Sequence, residues 1–207
     1  MAISAWRPEE VDDWLMENTA VFMLLVALIA TYKKLPLSDA SYLCLLVFLA
    51  IHEWGAHYKY SDVPLGEWMK PWLGSTRNHY DRVIHFSYGW LCGYPLQELA
   101  MRTGVRNRWR YVLPVALTLG FSAAYEISEA FMASILTPER GEEFVGMQGD
   151  VWDAQKDMFL AGLGAVVTMT AAAVVRPLAA RHVATPRIET TDTNRTANAR
   201  WATPDRR

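Results

Sequence analysis

The residues of this chain that could do chemistry fall in four short clusters. His52, Glu53 and His57 form the first, and Asp81, Arg82 and His85 the second. Glu126 and Glu129 form the third, and Asp150, Asp153, Lys156 and Asp157 the fourth. Spacing puts some members of each on one helical face, since residues three or four apart are neighbours there. Glu53 with His57 and Asp81 with His85 are such pairs, as is Glu126 with Glu129, while Asp150, Asp153 and Asp157 follow one stripe. Crowded carboxylates repel, and the crowding is relieved by a metal ion, by shared protons or by basic partners. Oxygen ligands with imidazole suit Zn, Mn or Mg rather than Cu(I). The expected ligands for such a divalent ion are His57, Asp81, His85, Glu126, Asp153 and Asp157. Glu129 or Asp150 would then serve as general base toward a water. Arg82 would neutralise a phosphate by paired hydrogen bonds, with Gln148 as a further substrate contact.

Each piece also has a purely structural reading. Asp150 follows Gly149 and can cap a helix, with Asp153 favouring the dipole of its first turn. Arg82 can be a partner for Asp81 or Glu126, and His52 and His79 can be satisfied interfacial histidines. The stretch Lys59–His79, with Trp68, Trp72, Pro64 and Pro71, reads as a flap over a pocket mouth or as a membrane-seated loop. There is no H-E-x-x-H and no paired Glu-x-x-His of a di-iron bundle. G-x-S-x-G, the P-loop and a dinucleotide fingerprint are also missing, so serine hydrolysis and nucleotide chemistry are unsupported.

The elements that must position these residues are greasy. Five stretches near 14–32, 40–58, 80–99, 111–136 and 157–175 carry long uncharged runs with apolar residues on every face. Such helices are buried in protein or in lipid. Spanning a bilayer takes about 20 residues at about 1.5 Å each. Five all-round apolar helices exceed what one small soluble core can hide. The expected fold is therefore all-α, a polytopic membrane bundle of about five transmembrane helices. Gly89, Gly93, Gly162 and Gly164 are expected at close helix contacts.

Charge chooses an orientation. With the N-terminus outside, the inside receives 13 of the 20 basic residues and five of the 22 acids. That is the positive-inside arrangement. The ionisable clusters then all fall at the outer ends of their helices. Charges in hydrocarbon are costly, about 2.5–3.5 kcal/mol each on insertion scales, so they face one another or a wet cavity. Glu126 lies about 22 Å from Tyr111 along its helix, at the depth expected for His85. The expected site is one outward-facing His/Asp/Glu pocket, and no broken helix is expected among the spans.

Composition agrees. Apolar residues make up 52% and charged residues 20%, the formal charge is −2, and there are two cysteines. A basic nucleic-acid binder and a disulfide scaffold are both excluded. The acidic segment 1–13 lacks the basic start of a signal peptide and is expected outside, flat or partly disordered. The stretch 181–207 reads as a disordered, basic cytoplasmic tail.

The chain resembles an uncharacterised bacterial inner-membrane family typified by YjdF. The resemblance rests on HEWGAHYKYSDVPLGEW (52–68), NHYDRVIHFSYG (78–89), YEISEAF (125–131) and GMQGDVWDAQKDMFLAGLGA (146–165). It implies an integral inner-membrane protein of unassigned activity. Relatives of this kind usually begin with one more apolar helix, and they tend to carry Thr where Lys59 stands here. A fainter similarity is to VanZ-like membrane proteins, through Asp81, Arg82, His85 and Phe86, then Glu126 or Glu129, then Asp153 or Asp157 with Gly164. Three functions fit these residues: a binding or scaffold protein in contact with membrane lipid, a metal-assisted hydrolase or transferase on a lipid-linked envelope substrate, and a proton-coupled carrier.

Overall fold

The computed structural model describes residue 1 and residues 3–183, with side chains up to residue 175. The described chain is helical, with no strand. In order the helices are α1 (Val11–Glu17), α2 (Thr19–Thr31), α3 (Asp39–Tyr58), α4 (Pro64–Leu73), α5 (Tyr80–Arg102), α6 (Trp109–Ile135), α7 (Pro138–Val145) and α8 (Asp153–Val183), with a 3-10 turn over Tyr60–Asp62. All five expected apolar stretches are helices. The chain divides into two units, Met1–Ala173 and Val174 onward, and the second is described only as the continuation of α8 to Val183. The expected tail lies outside the described residues from 184 onward.

By length and composition, α6 and the Asp153–Val175 part of α8 can each cross a membrane. The pair α1 and α2 makes a third candidate if it counts as one span. Helices α3 and α5 have spanning lengths of 20 and 23 residues. The polar residues at their ends, His52 to His57 and Asp81 to His85, keep both out of that apolar class.

The first expected span is broken. It bends by 42° between α1 and α2. Asn18 sits fully buried at the joint and gives its side-chain amide to the Trp14 carbonyl at 2.9 Å, which lets a polar residue sit where the helix turns. The preceding acidic segment is ordered against α3 rather than lying free. The Ser4 carbonyl meets the His57 ring at 2.9 Å, and the Glu9 amide donates to the His57 carbonyl at 3.0 Å.

Two contacts fix the central helices. Between α5 and α8 the spacing is set by small residues. A Cβ added at Gly89 would stand 1.8 Å from the Ala161 carbonyl oxygen, and one at Gly164 would stand 2.3 Å from that of Phe86. Such close backbone approach is how helices associate where lipid removes the hydrophobic drive. Gly93 makes only ordinary contacts with Thr168, and Gly162 meets the Leu119 side chain. At the other end of α3, Ser38 caps the helix by accepting from the Ser41 amide at 3.3 Å. Glu98 of α5 accepts from the Ser38 amide at 2.9 Å and its hydroxyl at 2.7 Å, tying α3 to α5 there.

Candidate functional site

The start of α5 is built by Asn78, which is fully buried. Its side-chain oxygen accepts from the Tyr80 amide at 3.1 Å, satisfying a donor of the first turn. Its amide nitrogen donates to the Val63 carbonyl and to Glu67, both at 3.0 Å. Its backbone exchanges hydrogen bonds with the Gln148 side chain, at 2.8 and 3.2 Å. Gln148 is thus a clamp between the α5 start and the turn before α8, and it also borders the cavity described below. Asn78 went unnoticed in the sequence, although an Asn two residues before a helix is a capping signal.

On that start, α5 aims Asp81 and His85 toward α6 and α8. The His85 Nε2 lies 3.5 Å from Asp81 and 3.3 Å from Glu126. Asp157 joins them, and ligand atoms of Asp81, His85 and Asp157 lie within 4.8 Å of one another. Asp157 is 1% exposed, and its Oδ1 has no hydrogen-bond donor among the described residues. An orphaned buried carboxylate oxygen facing an imidazole and a second carboxylate has the donor chemistry of a divalent cation site. Four expected ligands are therefore gathered: Asp81, His85, Glu126 and Asp157.

The other two expected ligands have different partners. His57 is held by the Ser4 carbonyl at the end of α3. Asp153 pairs with Arg77 at 2.5 Å and stands 3.7 Å from Arg82. Arg82 also binds Asp150, which accepts from Lys156 at 2.6 Å and from the Trp152 amide at 3.2 Å. The Lys156 bond, outweighing some burial, holds the Asp150 carboxyl far below the usual aspartate range. So Asp150 is the anchor of an ion-pair network at the start of α8, and Arg82 is committed to it. Arg77 lies outside the four clusters that spacing picks out, yet it is the buried cation of this network, and it also donates to the Met147 carbonyl.

Beside this cluster lies a cavity of about 630 Å³ between α2, α3, α5 and α6. That is the size of a small-molecule site. Each helix contributes one stripe, as with Leu24 and Leu28 on α2 and Leu45 and Phe48 on α3. On α5 the lining runs from Asp81 to Leu99, about 27 Å of helix at the usual rise. The wall is apolar along most of that length. It becomes polar at one end, where Glu17, Asp81, His85, Tyr125 and Glu129 meet. Tyr125 donates to Glu17 at 2.5 Å. Glu17 and Tyr125 were missed because each stands at the edge of a different uncharged run, Glu17 just before the one that starts at Asn18 and Tyr125 at the end of the one that starts at Tyr111. The break at Asn18 sits directly beside Glu17.

Charged residues also border the cavity. Lys59, at the end of α3, binds Glu143 of α7 at 2.7 Å and lies 3.8 Å from Asp13. Arg140 binds Asp13 at 2.9 Å and Glu143 at 2.8 Å. Burial works against the Lys59 ammonium, but the hydrogen bond to Glu143 and the charges of Glu143, Asp13 and Glu10 together outweigh it and raise its pKa. Lys59 has a φ of 58° and ψ of 144°, a region almost reserved for glycine, so this network holds a strained turn. Lys59, Tyr60 and Ser61 border the cavity, while α4 with its exposed Trp68 and Trp72 does not.

A family model described as "Predicted membrane protein (DUF2238)" matches residues 1–177. The chain is also 36% identical over 159 residues to the inner membrane protein YjdF of Escherichia coli (strain K12), an alignment covering 75% of each chain. No solved structure matches it.

Proposed function

From its membership of the DUF2238 family of predicted membrane proteins, to which this chain belongs and whose description carries no activity, we propose a function read from the site. The protein binds a membrane amphiphile, with the tail along the apolar cavity and the polar head at the cluster of carboxylates and imidazole. The observation that carries this reading is the 630 Å³ cavity itself, apolar along its length and acidic at one end. Apolar walls with a few convergent polar groups are the usual form of a ligand site.

Asp81, His85 and Asp157 would hold a divalent cation such as Zn, Mn or Mg beside the head, with Glu126 within reach. When bound, the ion supplies a Lewis acid and lowers the pKa of a water. Glu129 borders the same cavity and is the candidate base for a hydrolase or transferase on a lipid-linked envelope substrate. Asp150 is withdrawn from that role by its bonds to Arg82 and Lys156. The chain would sit in the inner membrane with five spans, α1 with α2, α3, α5, α6 and α8. Its N-terminus would be outside and its C-terminus cytoplasmic, as the basic loops favour.

Elemental analysis and lipid extraction of the purified protein test this. A near-stoichiometric divalent metal, lost in Asp157→Asn and His85→Ala, is expected, and a folded wild type without metal would overturn the cation site. A copurifying amphiphile depleted by Leu24→Trp, which fills the cavity from α2, is expected. An unchanged lipid profile would overturn the amphiphile reading.

A further inference from the structure

We propose that the polar end of the cavity receives a positively charged head, so that the ligand is a cationic amphiphile such as a long-chain amine. This rests on the amphiphile reading above and assigns the charge of its ligand. The carboxylates of Glu17, Asp81 and Glu129 all border the cavity. Among the described residues, Lys59 is the only lysine or arginine on its wall. Lys59 is taken by Glu143 at 2.7 Å, with Asp13 at 3.8 Å.

A phosphate head needs cations, and the candidates are turned away. Arg77 is bound to Asp153, and Arg82 and Lys156 are bound to Asp150, and none of the three borders the cavity. A divalent ion at Asp81, His85 and Asp157 would be balanced by its own two carboxylates. Glu17 and Glu129 would remain for the head. The head end also carries the phenol ring of Tyr125, and aromatic faces attract cations. Ser122 borders the cavity, is 2% exposed, and its hydroxyl has no hydrogen-bond partner among the described residues. A buried hydroxyl without a partner is costly, and a ligand N–H would relieve it.

The test compares dodecyltrimethylammonium, dodecylamine and dodecyl phosphate on the purified full chain in a neutral-sugar detergent with a chelator present. The readout is the shift in melting temperature with concentration, which gives each affinity. Both cationic probes are expected to bind at least about tenfold tighter than the phosphate, about 1.4 kcal/mol. Glu129→Gln is expected to shrink that ratio, Glu129→Asp to retain most of it, and Leu24→Trp to weaken all three probes together. Equal affinities, or a preference for dodecyl phosphate with chelator or with added Mn²⁺ or Zn²⁺, would overturn the cationic assignment and leave the amphiphile reading standing. No binding of any probe would sink both.

Discussion

Arg77 is 7% exposed and lies between Asp153 at 2.5 Å and Asp81 at 3.9 Å. A buried pair is weak evidence of net stability, but removing one partner strands the other charge, at about 3–5 kcal/mol. Arg77→Met is therefore expected to destabilise the protein by about that amount in reversible unfolding, and Arg77→Met with Asp153→Leu to recover much of it. A double variant as unstable as the single one would show that Asp153 is not the stranded charge. At this scale much was legible. Intervals of three and four residues joined Asp81 to His85, and the outer-end bias of the charges joined both to Glu126 and Asp157. What spacing cannot show is which acid a given cation selects. Arg82 and Lys156 both go to Asp150, and His57 meets a backbone carbonyl some fifty residues away, a contact fixed by the path of the N-terminal segment.

Helix contacts separate the glycines by role. A Cβ at Gly89 would collide with the Ala161 carbonyl, whereas one at Gly120 on α6 would meet nothing within 4 Å. Gly89→Ala is expected to cost about 1–3 kcal/mol through overpacking. Gly120→Ala is expected to be neutral or stabilising by up to about 1 kcal/mol, since alanine is the better helix former. Equal effects in thermal unfolding would contradict the α5–α8 contact. The positions of the long helices were readable because their apolar runs are continuous and end in charges. The bend at Asn18 was not, because one Asn within an apolar run is no breaker on its own. It becomes one through its bond back to the Trp14 carbonyl. Helices α4 and α7 begin with Pro64 and Pro138 and end at Gly74 and Gly146 in the left-handed region. Those signals lay in stretches that hydropathy marked only as loops.

For the whole molecule, the proposed topology places Lys33 and Lys70 on opposite sides of the bilayer. In a variant with Cys44 and Cys92 replaced by serine, a cysteine at position 70 is expected to react with an impermeant maleimide on intact spheroplasts. A cysteine at 33 is expected to react only after lysis, and the reverse pattern would invert the chain. The same reagent discriminates binding from transport. The break beside Glu17 is the kind of discontinuity that carriers use. Labelling of cavity position 28 from both sides would favour a carrier, and labelling from the outside alone would favour a binding site. Five apolar stretches could be read from the sequence; α6 and α8 are long and apolar enough to cross a membrane, the α1–α2 pair is a third candidate if it counts as one span, and the polar ends of α3 and α5 keep those two out of that class. One further property follows from α2, on which Val26 and Ile29 are exposed while Leu24 and Leu28 line the cavity. In the proposed topology that exposed face would meet lipid, and a ligand arriving from the bilayer would not have to cross water. Occupancy would then be set by the ligand's mole fraction in the membrane and not by its aqueous molarity, and diluting the protein with neutral lipid would empty the site at constant buffer volume.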